Sequence, residues 1–479
     1  MTRWMTCVVM VCVASGCLTP VRDTSLGSAD AGGDGGTGTG GGTSTGGGTG
    51  TGGGTGTGGG TGTGGGTELD AGATTDELSV EWVAQFGSNL DDRAYSMALD
   101  ASGNVFVAGT TQSFDPLFTG PGVGLFFGVG PAFVRKYDSK GAHVWTRQFG
   151  PTTITSADAH AVAVDTSGNV FVAGATSGTL PGQAKLGDPS DRDAFVQKHD
   201  PEGAILWTRQ FGSIDSDTAT AVAVDSAGFV YVVGQTHGAL PGQTTIGQTD
   251  SFLRKYDSLG AEVWTRQFGD NGDDQALSVS VGPSGDVFVA GKTAWVPASG
   301  LAWQGRFEAF VRRYDANGAL IWSQEFGEGL YPSATTVAAT ASGQVVVAGF
   351  VLGALPGETA LGDKDAFVRQ YDATGALVWS RQFGSEVDDE AYGVTVDVSG
   401  SVFVAGEIKS PVAHGRGFAR SFDAAGSPRG TYEIEGAGRA ITTAGSDELV
   451  ISGFTSGILQ GAKPPLGGQL DAFVIRLLR

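Results

Sequence analysis

Residues 365–406 read DAFVRQYDATGALVWSRQFGSEVDDEAYGVTVDVSGSVFVAG. Four short apolar-alternating runs lie in this stretch: AFVRQY, LVWSRQF, AYGVTV and SVFVAG. A period of two over four to seven residues is the signature of a strand, and no run carries helical spacing. The first and second runs are joined by Asp372-Ala-Thr-Gly375, the third and fourth by Asp397-Val-Ser-Gly400. In such a turn the Asp carboxylate accepts from nearby backbone N–H groups, and Gly supplies the positive φ that closes it. The stretch therefore reads as two hairpins in succession.

Outward from it, the same unit recurs. WSRQFG at Trp379–Gly384 has relatives at Trp82–Gly87, Trp145–Gly150, Trp207–Gly212, Trp264–Gly269 and Trp322–Gly327, with a worn copy at Thr431–Gly436. These follow one another at spacings of 63, 62, 57, 58, 57 and 52 residues. The run ending at Gly406 recurs with its glycine at 109, 174, 234, 291, 349 and 453. The run that begins at Asp365 has relatives beginning at Pro131, Asp193, Asp250, Glu308, Arg416 and Asp471. Each landmark occurs seven times, and self-similarity of this kind outranks every local signal.

Four antiparallel strands repeated seven times predict an all-β fold, a seven-bladed β-propeller. Blades crowd at the axis, so the strand with the smallest residues belongs innermost: Ala161, Ala163, Ala221, Ala223, Gly393 and Thr395 fit. The order from the axis outward is then AVAVD, NVFVAG, AFVRKYD, WTRQFG. The ends support a ring. The repeats open at 79–87 with a fourth strand that has no blade of its own, and stop at 471–479 with a third strand that lacks its fourth. The N-terminal strand is expected to complete the last blade, leaving no unpaired edge, with Trp82 packed beside Phe473. Blades are expected at 88–150, 151–212, 213–269, 270–327, 328–384, 385–436 and 437–479 plus 79–87.

The motif string, nearly entire at Asp365–Gly406, resembles the seven-bladed β-propeller repeat family of bacterial and archaeal surface proteins. The resemblance covers 79–479 and is specific because it recurs. It implies an extracellular propeller of the cell-surface or S-layer-like kind. It implies no activity, because the repeated residues serve the scaffold.

The chain has 479 residues, a net charge of -21 and all three Cys within the first seventeen positions, at 7, 12 and 17. That balance argues against nucleic acid, whose phosphates need clustered Lys and Arg. The Cys positions exclude a disulfide scaffold, a Cys zinc site and a catalytic thiol in the repeats. Arg3, the apolar stretch Met5–Ala14 and Ala14-Ser-Gly-Cys17 resemble a lipoprotein signal peptide of residues 1–16, with Cys17 acylated. Leu18 follows where an Asp would suggest inner-membrane retention, so the outer membrane or cell surface is expected. Residues 32–66 hold 23 Gly in 35 positions. Such composition has nothing to bury, so 17–76 reads as a disordered tether between anchor and propeller.

Candidate chemistry is sparse. The segments that carry each outer strand to the next inner strand are acidic: Asp91 and Asp92, Asp215 and Asp217, Asp273 and Asp274, Asp388 and Asp389. Clustered carboxylates suit Ca²⁺, which takes six to eight oxygens. As turn acceptors they need no metal, and no cofactor is expected. The loops between second and third strands are long and carry Phe126, Phe127, Trp295 and Trp303 as ligand-face candidates. Repeated Arg residues, Arg135, Arg254, Arg312 and Arg369 in third strands and Arg147, Arg209, Arg266 and Arg381 in fourth strands, read as stacking or ion-pairing groups between blades. No catalytic residue is singled out. The function read from the sequence is a lipid-anchored, monomeric surface module that binds a protein or glycan or serves structurally. The alternative is a propeller enzyme (hydrolase, lyase or quinone-dependent) with nonrepeated polar residues at the channel mouth.

Overall fold

In the computed structural model the described residues run from 78 to 479, apart from 89, 113–129, 152–154, 296–305, 328–329, 410–415, 446 and 463–469. The expected signal peptide and tether, Cys17, Phe126, Phe127 and Trp303 lie outside them. Trp295 ends a strand, Val287–Trp295, but its side chain is outside the described set as well.

The described residues form 28 strands in seven four-stranded sheets. Blade 2 shows the plan: Ala157–Val164 innermost, then Val170–Thr176, Asp193–His199 and Ile205–Phe211, each antiparallel to the last. In the seventh blade the strand Ala437–Thr443 is innermost and Ser79–Phe86 outermost, paired with Asp471–Leu478. The ring is closed as expected, by a strand from the other end of the repeats. No described helix is long and apolar enough to cross a membrane.

One detail differs from the sequence reading. Trp82 pairs with Arg476 in the closing sheet, and Gln85 is the residue opposite Phe473. Val83 shares the Phe473 side, whereas Trp82 faces blade 1 with Phe86, Phe133 and Tyr137. A strand's side chains alternate between two faces, and both faces of a blade are buried against neighbours. The fourth-strand Trp is on the face that meets the next blade.

That contact repeats. The indole Nε1 of Trp82, Trp145, Trp207, Trp264, Trp322 and Trp379 donates to a carbonyl in the third hairpin turn of the following blade, at 3.1–3.4 Å. Each indole lies over the turn's glycine; a Cβ on Gly141 would overlap the Trp82 ring. Gly141 has φ 80° besides, so both the turn and the indole require it. Asp138, which opens this turn, accepts from the N–H of Lys140 and Ala142 at 2.9 and 2.8 Å.

Arginines add a second layer of contact. Arg254 stacks 4.4 Å from the Phe211 ring of the preceding blade, as Arg135 does on Phe86, Arg312 on Phe268, Arg369 on Phe326 and Arg420 on Phe383. Fourth-strand arginines reach forward: Arg147, Arg209 and Arg266 donate from Nε to Gly203, Gly260 and Gly318 carbonyls. Blades 1, 2 and 3 are thus each bolted to the next by a Trp, an Arg and a Phe from one repeat.

Candidate functional site

All seven innermost strands carry a bulge at the same place. The register skips one residue between Ala94 and Ser96, Ala159 and Ala161, Ala219 and Ala221, Ala276 and Ser278, Ala334 and Thr336, Ala391 and Gly393, and Gly438 and Ala440. The bulge draws the inner strand onto its neighbour: a Cβ on Gly174 would overlap the Asp158 carbonyl oxygen. This is why the second strand carries a glycine at this place in every blade.

A bulged residue is released from the ladder and its side chain is re-aimed. The seven are Tyr95, His160, Thr220, Leu277, Thr335, Tyr392 and Arg439, each half-buried. The bulge also leaves the carbonyl before it without a strand partner. Thr220 and Thr335 donate from Oγ1 to Ala276 and Ala391 of the next inner strand, at 2.6 and 2.5 Å, and His160 reaches Ala219 at 2.9 Å. Three of the seven bulged side chains, His160, Thr220 and Thr335, thus bridge one inner strand to the next.

Scaffold needs make this position nearly free, and blades 3, 4 and 5 fill it with Thr, Leu and Thr. Blades 6, 7, 1 and 2 do not. There the bulged residues and those two positions earlier assemble a polar and aromatic arc. Glu390 accepts from Lys364 and Lys409 at 2.8 and 2.7 Å and from the Tyr392 phenol. The Arg439 guanidinium lies 3.8 Å from the Tyr392 ring centre, 4.8 Å from that of Phe454, and 2.9 Å from Glu407. Arg93 covers the same Phe454 ring at 5.7 Å. Tyr95 meets the His160 ring edge-on at 6.2 Å, and Asp158 pairs with Arg192.

Charge in the arc is tuned by burial and by partners. Burial alone would raise the Glu390 carboxyl, but hydrogen bonds from Lys364, Lys409 and Tyr392 outweigh it and hold it at about 2. Burial pushes the Tyr392 phenol well up, with the Glu390 charge adding to the rise against Arg439. Burial holds the His160 imidazole below its ordinary value, Asp158 pulling the other way.

The arc lies toward the acidic crossings. The backbone shows it: Asp92 N donates to Leu470 O, Asp217 N to Arg192 O and Asp274 N to Thr249 O, joining each crossing to a second-to-third-strand loop. Within the crossings, Asp92, Asp217, Asp274 and Asp389 are buried at the start of their inner strands. The last three accept from the N–H four residues earlier, Ser213, Asp270 and Ser385, at 2.7 Å. Asp91 pairs with Arg93 at 3.6 Å, Asp388 lies 4.0 Å from Lys364, Asp273 accepts from Thr249 Oγ1, and Asp215 is exposed. Among the described residues no three His, Asp, Glu or Cys side chains converge in a way that would hold a metal ion.

Two features were not read from the sequence. The first is the arc itself, whose signal is one column of the seven aligned inner strands: Tyr, His, Thr, Leu, Thr, Tyr, Arg. The second is a buried latch. Gln210, Gln267 and Gln382 donate to Asp193, Asp250 and Asp365, and accept from the N–H of Leu180, Leu240 and Leu355. Those leucines are fully buried and open the Leu-Pro-Gly stretches at 180–182, 240–242 and 355–357, so these three loops are folded down onto their blades in one common form.

Four stretches of the chain, residues 81–117, 144–181, 206–241 and 378–411, match the family model described as Beta-propeller repeat, SBBP. The regulatory protein FlaEY of Caulobacter vibrioides is 27% identical over 197 residues, which is 38% of this chain and 20% of that protein. An uncharacterised WD repeat-containing protein of Acanthamoeba polyphaga mimivirus is 22% identical over 268 residues, 46% of this chain and 19% of its own length. The matches span about a fifth of the length of these curated relatives. A solved structure of unknown function from Dyadobacter fermentans aligns with a TM-score of 0.45 at 12% identity, over 84% of this chain and 99% of that one.

Proposed function

We propose that this chain, a seven-bladed propeller of the β-propeller repeat (SBBP) family, is an exported binding module, anchored by lipid on Cys17 and engaging its ligand at the mouth of the central channel. The observation that carries the binding reading is the arc Glu390–Tyr392–Arg439–Phe454–Arg93. In a repeated scaffold, positions that three blades fill with Thr or Leu have no structural need of charge, so charge gathered there serves something else. The Arg3 start, the apolar run and Ala-Ser-Gly-Cys17 support the anchor, and the Gly/Thr tract at 32–66 supports a tether that would hold the propeller away from the membrane.

An enzyme reading has one observation in its favour: a nonrepeated His, acid and Arg, namely His160, Asp158 and Arg192, meet on the same arc. It predicts turnover of the captured ligand; the module reading predicts release of the ligand unchanged.

Capture from surface extracts with the full chain tests the reading. An Arg439→Ala/Tyr392→Phe double variant is expected to melt below the parent, because Arg439 is stacked on Tyr392 and paired with Glu407, but to stay folded at the temperature of the capture and to lose the captured species. Equal capture by both would place the binding surface away from the channel mouth.

A further inference from the structure

His160 does more than the bulge requires. Its Nδ1 lies 2.9 Å from the Ala219 carbonyl oxygen. A carbonyl has no proton to give, so Nδ1 must carry one. The ring is buried enough to stay neutral near pH 7, which leaves Nε2 as an unprotonated acceptor. Nε2 makes no hydrogen bond among the described residues. In blades 3 and 5 the equivalent carbonyl is satisfied by the hydroxyl of Thr220 or Thr335. Threonine is therefore sufficient for the scaffold, and histidine adds one thing that threonine lacks: a second polar atom, on the far side of the ring.

The surroundings define what that atom meets. Tyr95 presents its ring across from the imidazole, 6.2 Å between centres. Its hydroxyl accepts from Thr110 Oγ1 at 3.3 Å and keeps its own proton for another acceptor. Asp158 and Arg192 stand beside the ring as an ion pair, each side chain about a third exposed or less. Opposite charges here are balanced, so a simple ion gains little. Mixed donors and acceptors around an aromatic wall instead match the alternating donor and acceptor character of vicinal hydroxyl groups.

We infer that His160 Nε2 is the acceptor for a ligand hydroxyl in a saccharide-binding subsite walled by Tyr95 and flanked by Asp158 and Arg192. This rests on the channel mouth being the binding surface. The subsite lies in blades 1 and 2, and the Arg439–Tyr392 pair in blades 6 and 7.

The test uses the full chain, a glycan array of neutral oligosaccharides and three proteins: parent, His160→Thr and His160→Gln. His160→Thr keeps a donor to Ala219 and removes Nε2 together with the ring that meets Tyr95. It is expected to melt as the parent does and to bind the best array oligosaccharide at least tenfold more weakly. His160→Gln, which retains a donor and an acceptor, is expected to recover part of the loss. Nitrogen NMR of the parent is expected to show the Nδ1–H tautomer between pH 6 and 8, with the Nε2 resonance moved by the bound oligosaccharide. Binding by His160→Thr equal to the parent, an Nε2–H tautomer, or an array without any bound glycan would each overturn the inference. Loss of surface-extract capture in the Arg439→Ala/Tyr392→Phe variant but not in His160→Thr would leave the channel-mouth reading standing and remove this one.

Discussion

Gln85 donates from Nε2 to the carboxylate of Asp471, 2.9 Å away in space and 386 residues further along the chain. The same amide donates to Gly457 O and accepts from Leu459 N–H. These bonds copy, across the chain's two ends, the latch that Gln210, Gln267 and Gln382 make inside their own blades. Asp471 is almost wholly buried, so without the amide its carboxylate loses a charged hydrogen bond in a dry place. Gln85→Ala is expected to cost about 2–3 kcal/mol. Urea unfolding measures it; an unchanged midpoint would mean that strand pairing alone closes the ring.

The arginine stacks between blades carry a second expectation. Arg254 is buried, lies 4.4 Å from the Phe211 ring centre and donates to Thr265 Oγ1 at 2.8 Å. A desolvated cation over an aromatic ring contributes about 2 kcal/mol, and the planar fork is not reproduced by lysine. Arg254→Ala is expected to lose about 2–3 kcal/mol, and Arg254→Lys to recover less than half of that. Thermal melts of the two variants decide it.

Stability should depend on pH in two opposed windows. Burial pushes Asp217, Asp274 and Asp389 up to about 6, despite backbone and hydroxyl donors that favour the charged form. Below the unfolded value near 4 these groups are protonated in both states. Between about 4 and 6 the folded state holds more protons than the unfolded, so stability falls as pH rises. Glu390 works the other way: held at about 2, it contributes stability above its unfolded value that is lost as pH falls toward 2. On these four carboxyls the melting temperature is expected to peak near pH 4, with the buried His199 imidazole, held down to about 4, opposing the decline above it. Asp217→Asn should flatten the decline between pH 4 and 6 in a pH series of melts; a decline as steep as the parent's would remove Asp217 as a cause.

Calcium is expected to leave the propeller unchanged. One carboxylate oxygen each of Asp217, Asp274 and Asp389 already accepts from a backbone N–H of its own loop. A ligand at 100 times its Kd would add about 2.7 kcal/mol, so melts in EDTA and in millimolar Ca²⁺ that agree support closed turns, and a clear rise with Ca²⁺ would show a cage.

Cys17→Ala is expected to move the protein from the membrane fraction to the soluble fraction or to arrest its processing. Labelling with a fatty-acid analogue followed by detergent partitioning measures this. Retention of the variant in the detergent phase would replace the lipid anchor with some other attachment.

How far the sequence could be read follows from what each feature depends on. Asp365–Gly406 shows two hairpins because strand period and turn chemistry are local properties. Seven copies of three landmarks set the blade number, and an orphan fourth strand at Ser79 with an orphan third at Asp471 set the closure; both are matters of counting. That Arg135 and Arg254 serve the contact between blades, by stacking or by ion pairing, was legible because they recur, but that each covers a ring of the preceding blade, Phe86 or Phe211, was decided by packing.

The channel mouth was not legible in the same way. His160 and Tyr95 lie in different repeats, and neither looks unusual within its own strand. A one-residue bulge in each inner strand turns them from the ladder toward the axis, and a bulge arises from backbone pairing that no residue announces alone. Trp82 shows the same limit: the sequence determined that its strand joins Asp471–Leu478, but the buried face of the neighbouring blade decided that its indole meets Gly141 and Ser139 instead of Phe473. Repetition and pattern therefore determined the scaffold from the sequence by itself. The tertiary structure decided the site, because only packing of blade on blade selects which side chains share a space.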